Sequence, residues 1–142
     1  MQKVSGNIDE RKIKYEECVE IIKKLKFNET SNLFALERNY GLESIINDIY
    51  QTFDSKDVYN TTFEKAANFL YLIVKNHVFI DGNKRVAATL FIYFLNFYGI
   101  LYKNNKYVID NNTLAALTLL IAESNPKEKD IIVDLVVNFL ND

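Results

Sequence analysis

Four glycines and one proline are all the chain-breaking residues in 142 positions. An all-β domain needs a turn signal about every 8–12 residues, and this chain cannot supply them. Helices are therefore the default, and an all-α bundle is the expected fold class. The length fits a single domain over residues 1–142, large enough to bury a core without staples. With 49% hydrophobic and 25% charged residues, the composition is ordinary for a globular chain. A formal net charge of −2 gives no support for nucleic-acid binding. Cys18 is the only cysteine, so neither a disulfide framework nor a cysteine zinc site is available, and it reads as a small core residue. The N-terminus, MQKVSGNIDERK, has no secretory pattern. The longest apolar run, Val86–Tyr102, is interrupted at Asn96 and broken at Gly99. It is too short to span a bilayer and reads as a buried helix, so no membrane association is expected. The expected compartment is the cytoplasm, with delivery into another cell as the alternative.

Hydrophobic periodicity places the helices. Ile13, Cys18, Val19, Ile21, Ile22 and Leu25 mark a first amphipathic helix within residues 1–29, with Asp9 as its expected N-cap and lysines at its end. ETSNLFALERNYG is expected to hold a short helix closed by Gly41. LESIINDIYQTF reads as another helix, and DSKDVYN as a loop. Thr61 or Thr62 caps a helix whose apolar face is Phe63, Ala66, Ala67, Leu70, Ile73 and Val74. KRVAATLFIYFLNFYG is apolar nearly all round, which suits a helix at the centre of a domain. LYKNNKYVID is a connection with a short extended piece. Two further helices follow, the last starting on Asn125 as cap with Pro126 in its first turn. No repeat, linker or low-complexity tract is present.

Between the two most hydrophobic helices lies HVFIDGNKR, His77 to Arg85, with the only histidine of the chain. Gly82 can take a positive φ and turn the chain into the next helix. Asn83 is then a suitable cap. The unpaired amides behind it, at the positive end of the helix dipole, form an anion site. Lys84 and Arg85 oppose that dipole unless an anion, best a phosphate, lies between them. Asp81 is a hard oxygen ligand beside this cradle, and one carboxylate with two phosphates is the usual Mg²⁺ arrangement. His77 can take a proton near neutral pH. Phe79, with Val78 or Ile80, pins the loop to the core. Together these groups suggest transfer of a phosphorus group from a nucleotide to a hydroxyl. Each has an ordinary reading when taken singly: a capping histidine, an Asp-Gly-Asn turn, a solvated Lys-Arg pair. Seven fixed positions filled together by chance have odds of roughly one in a billion per start site.

The stretch resembles the signature of the Fic/Doc family, H-x-F-x-[D/E]-G-N-[G/K]-R, at every fixed position: His77, Phe79, Asp81, Gly82, Asn83, Lys84 and Arg85. EKAANFLYLIVKNH is similar to the helix before that motif, and ALTLLIAESNPKEKD to the closing helices. The resemblance spans roughly residues 30–142. It implies an all-helical fold and modification of a Ser, Thr or Tyr hydroxyl on a target protein. By this likeness His77 is the general base and Asp81 the Mg²⁺ ligand. Asn83, Lys84 and Arg85 hold the phosphates of ATP or another nucleotide, with Gly82 and the adjacent amides completing the anion hole. It also implies a flap within YQTFDSKDVYN that holds an extended target segment.

Two departures from adenylylating members matter. Lys84 stands where they carry glycine, and Ala88 where they carry a second arginine. Loss of that arginine removes a bidentate clamp that a lysine point charge cannot replace. The lysine form resembles the death-on-curing branch, whose type member is a kinase, so phosphate transfer is favoured over AMP transfer. The family's inhibitory [S/T]-x-x-x-E-[G/N] motif is missing from this sequence. Control would then come from an antitoxin in trans, or from a missing segment if this is part of a longer protein. The alternatives are a degenerate module that binds a nucleotide or a partner without turnover, and a purely structural bundle. Tyr40, Tyr50, Phe53 and Tyr59 could line a groove, but packing roles are expected for each.

Overall fold

The computed structural model describes residues 10–141. Six helices carry the architecture: α1 (Tyr15–Lys26), α2 (Gly41–Ile49), α3 (Thr62–Lys75), α4 (Asn83–Phe97), α5 (Asn111–Glu123) and α6 (Lys129–Asn141). Two small antiparallel hairpins interrupt them. One is β1 (Thr52–Phe53) with β2 (Lys56–Asp57), and the other is β3 (Tyr102–Lys103) with β4 (Lys106–Tyr107). The fold is all-α, with the His77–Arg85 loop joining two central hydrophobic helices.

The hub is α3. It packs against α2, α4, α5 and α6. Hydropathy alone favours α4 for that place, yet α4 leaves Ala88, Thr89, Ile92 and Tyr93 only half-buried. The difference lies in how α3 satisfies its polar groups. Asn68 donates to the carbonyl of Glu64 at 2.8 Å, and Lys65 is paired as described below, so both are buried without penalty. Phe69 of α3 meets Phe94 of α4 at 5.6 Å between ring centroids. Truncating such a buried ring costs about 3–5 kcal/mol.

Several starts follow local chemistry. Thr61 caps α3 by accepting from the Glu64 amide at 3.0 Å, and Asp110 caps α5 by accepting from Thr113 at 2.7 Å. Asn125 and Glu128 form a reciprocal capping box around a 3₁₀ turn, Pro126–Glu128, that leads into α6. Other expectations are corrected. The expected cap Asp9 lies outside the described residues, and α1 begins only at Tyr15. No helix forms in ETSNLFALERNYG: residues 34–38 run beside the motif loop, and Gly41 opens α2 instead of closing a helix. Both loops flanking α3–α4 are hairpins. Their Asp54–Ser55 and Asn104–Asn105 tips have positive φ, as two-residue turns of twisted hairpins require.

Among the described residues no helix is long and apolar enough to cross a membrane. The apolar run read from the sequence is α4, which ends at Phe97, followed by a turn at Gly99.

Candidate active site

The loop from His77 to Gly82 is held by two devices. The first is Asn83. Its Oδ1 accepts from the Phe79 amide and its Nδ2 donates to the Phe79 carbonyl, both at 2.8 Å. The expectation that Asn83 caps the helix is therefore corrected. Gly82, at φ 84°, is the N-cap, and Asn83 is the first helical residue with its side chain folded back on the loop. Phe79 itself is 1% exposed and Val78 is 3%, whereas Ile80 points outward, so Phe79 and Val78 pin the loop.

The second device is the segment 34–38. Ala35 N–H donates to the Asp81 carbonyl, Ile80 N–H to Leu36, and Arg38 N–H to Val78, each at 2.9 Å. These bonds fix the motif backbone at Val78, Ile80 and Asp81, a degree of constraint that suits a site needing fixed geometry. Glu37 secures the segment in turn. Its carboxylate accepts from the Tyr15 hydroxyl at 2.5 Å and from the Leu42 amide at 3.0 Å, tying α1 and the start of α2 to the loop. Burial, and then the Glu37 carboxylate, push the Tyr15 phenol well above its usual range.

His77 directly follows the last turn of α3, at φ 49°. Its imidazole is exposed, and it occupies the left-handed position after a helix that glycine usually takes. Asp81 is exposed, and only its backbone carbonyl is engaged by the 34–38 segment. The start of α4 carries no side-chain cap. The amides of Asn83, Lys84 and Arg85 precede the first intrahelical bond, from Val86 N–H to the Gly82 carbonyl at 2.9 Å. Lys84 is exposed in that first turn. Arg85 is held: its guanidinium lies 4.1 Å above the Phe34 ring centroid, and its Nη2 is 2.6 Å from Glu29 Oε2.

The structure thus brings His77, Asp81, Gly82, Asn83, Lys84 and Arg85 onto one clamped loop and the helix start behind it. Ala88, one turn on, is half-buried and has no charge to offer. Among the described residues no three His, Cys, Asp or Glu side chains are grouped to hold a metal. A lone carboxylate is a poor Mg²⁺ site by itself, but Asp81 beside an anion cradle fits an ion that takes its other oxygens from phosphates.

Phe34, Ala35, Glu37 and Glu29 escaped the reading of the sequence. They lie in a segment without periodicity; Glu29, Phe34 and Ala35 reach residues 81–85, more than 40 positions away, and Glu37 reaches back to Tyr15 on α1. The expected flap segment is the β1–β2 hairpin. Lys65, on α3 and nearly fully buried, holds that hairpin through Asp57 at 3.0 Å and the Tyr59 carbonyl at 2.5 Å. Of the four aromatics expected to pack, Tyr50 is bonded to Tyr98 and to the Ile13 amide, and Tyr59 is half-buried. Phe53 and Tyr40, however, are 80% and 71% exposed, because a hairpin strand and a left-handed turn point them away from the helices. A groove between α5 and α6, lined by Leu120, Ile131, Ile132 and Leu135, contains none of the motif residues.

Comparison with protein families adds an independent line. A family model described as Fic/DOC family matches residues 12–95, well over half the chain. The match takes in α1 and ends before α5, whereas the resemblance read from the sequence starts near residue 30 and runs to the end. No curated protein and no solved structure gives a match.

Proposed function

Because the chain belongs to the Fic/DOC family, we propose that it is a transferase that moves a phosphate-containing group from a nucleotide to a hydroxyl of a target protein. The observation that supports this reading is the uncapped start of α4 directly behind a clamped loop that carries His77 and Asp81, with Arg85 in the first turn of the helix. The donor is ATP in this reading. Its phosphates lie against the amides of Asn83, Lys84 and Arg85, with both cations offsetting their charge. Asp81 would hold Mg²⁺, and the ion would supply positive charge beside the transferring group. The β1–β2 hairpin receives an extended segment of the target along its free edge.

In the step itself, the target hydroxyl oxygen attacks the γ-phosphorus. The new O–P bond forms as the bond to the β-phosphate bridging oxygen breaks, and ADP leaves with the electron pair. The hydroxyl proton passes to the His77 imidazole. In this reading Arg85, exchanging its Glu29 partner for phosphate oxygens, and the α4 amides stabilise the charge that builds on the phosphates. Phosphate transfer is preferred over AMP transfer because Ala88 leaves the far phosphates without a second guanidinium, and Lys84 supplies only a point charge. Control by an antitoxin in trans belongs to the same proposal.

The test uses purified protein, Mg²⁺ and a cell lysate, with α-labelled and γ-labelled ATP in parallel. His77→Ala and Arg85→Ala are the controls. Label on a protein from the γ form alone, lost in both variants, is the expected result. Label from the α form means nucleotidyl transfer and overturns the weight given to Ala88. No label from either form, with Mg-ATP binding intact, points to the module without turnover.

A further inference from the structure

Resting on the reading of Arg85 as a phosphate ligand, we infer that Phe34 is a positioning residue for the anion site. It lies in the irregular segment before α2, is 4% exposed, and is not part of the motif. Three independent contacts join it to the motif. Its backbone bridges to Asp81, with Ala35 N–H on the Asp81 carbonyl at 2.9 Å. Its ring lies so close to Gly82 that a Cβ there would meet Cε1 at 2.4 Å and Cδ1 at 2.6 Å. The face of the same ring carries the Arg85 guanidinium at 4.1 Å.

These contacts answer a problem that the sequence poses. A cation in the first turn of a helix opposes the macrodipole and is pushed away from the helix start. Arginine also has several free torsions, and fixing them costs binding energy each time a ligand arrives. The negative face of an aromatic ring offsets the first effect, and stacking against a planar guanidinium removes much of the second. Phe34 does both, whereas Glu29, 2.6 Å from Nη2, is the ion-pair partner that a phosphate has to displace. No corresponding ring lies against Lys84 among the described contacts. Phe34 also makes glycine obligatory at 82, by filling the space a side chain would need, so backbone rather than side chain faces the ligand there. Arg85 is thereby held ready before the ligand arrives.

The experiment measures inorganic pyrophosphate binding by calorimetry in the full chain. The variants are Phe34→Leu, Arg85→Ala and their combination, with Phe34→Met as a second apolar replacement should leucine fail to fold. The Arg85 Nε–H resonance is followed by NMR, assigned by its loss in Arg85→Ala. A ring at 4.1 Å shifts that proton upfield, and Phe34→Leu should return it to the position of an unstacked arginine. Binding should weaken about threefold to tenfold. The double variant should bind no worse than Arg85→Ala alone, because Phe34 acts through Arg85. Multiplying losses would instead mean that Phe34 only supports the fold. Unchanged binding, or an unmoved Nε–H resonance, overturns this role alone. Failure of the wild type to bind pyrophosphate overturns the phosphate reading of Arg85 and this role with it.

Discussion

Replacing His77 by glycine is expected to stabilise the protein while removing the group proposed as its base. His77 sits at φ 49°, in the left-handed region, directly after the last turn of α3. A side chain bearing a Cβ pays about 1–2 kcal/mol there. Glycine pays about 0.5–1 kcal/mol in unfolded-state entropy instead. The imidazole is exposed, so little burial is lost with it. The net gain is about 0.5–1 kcal/mol, or roughly 2–4 °C in Tm for a chain of this size. His77→Ala is the reference, since it removes the imidazole but keeps the Cβ and its strain. Urea denaturation of the three proteins, followed by far-UV circular dichroism, gives the comparison. Glycine should be the most stable, with alanine at or below the wild type, and neither variant should support transfer. A glycine variant no more stable than alanine would refute the strain argument. The expected result is strain kept at a functional position because the chemistry needs the side chain.

Asn83→Ala should lower stability by about 1–3 kcal/mol in thermal or urea unfolding, because both Phe79 backbone groups lose their partner in a part-buried place. Glu29→Gln should tighten pyrophosphate binding by up to about fivefold at low salt, since a half-exposed ion pair is worth no more than about 1 kcal/mol. The gap should close as ionic strength rises, and an unchanged affinity in a titration at low salt would argue that Glu29 does not compete for Arg85. Burial, and then Glu17 and Glu16, raise the Cys18 thiol from 9.0 to about 12. The unfolded thiol ionises first, so this contribution to stability is whole below pH 9 and lost as pH rises toward 12. Cys18→Ala should flatten that fall in denaturation curves taken across the interval.

What could be read in advance depended on how far each signal reaches. Thr61 acts on an amide three residues ahead, so that cap is visible in the sequence and present in the structure, whereas the equally local Asp110 cap emerged only from the structure. The motif is equally local. Gly82 turns the chain, and Lys84 and Arg85 fall in the first turn behind it. Asn83 shows where local reasoning slips. Its type suits a cap, but the same amide can close a ring with Phe79 four residues back, and burial of that backbone decides for the ring. The segment 30–40 failed for a different reason. Its residues have no helical period of their own, and the amides of Ala35 and Arg38 are spent on the motif loop 40 or more positions away.

The sequence by itself determined a helical chain and the places of its longer helices, though not the irregular segment before α2. It also set the place of the turn between α3 and α4 and the chemical groups clustered there. Those follow from breaker scarcity, hydrophobic period and residue type, all of which act within a turn or two. Only the tertiary structure decided that α3 rather than α4 is the hub, that residues 34–38 brace the loop, and that Arg85 rests between Phe34 and Glu29. Those outcomes depend on which surfaces meet once the helices pack, and a buried backbone group takes whatever partner that packing brings within reach.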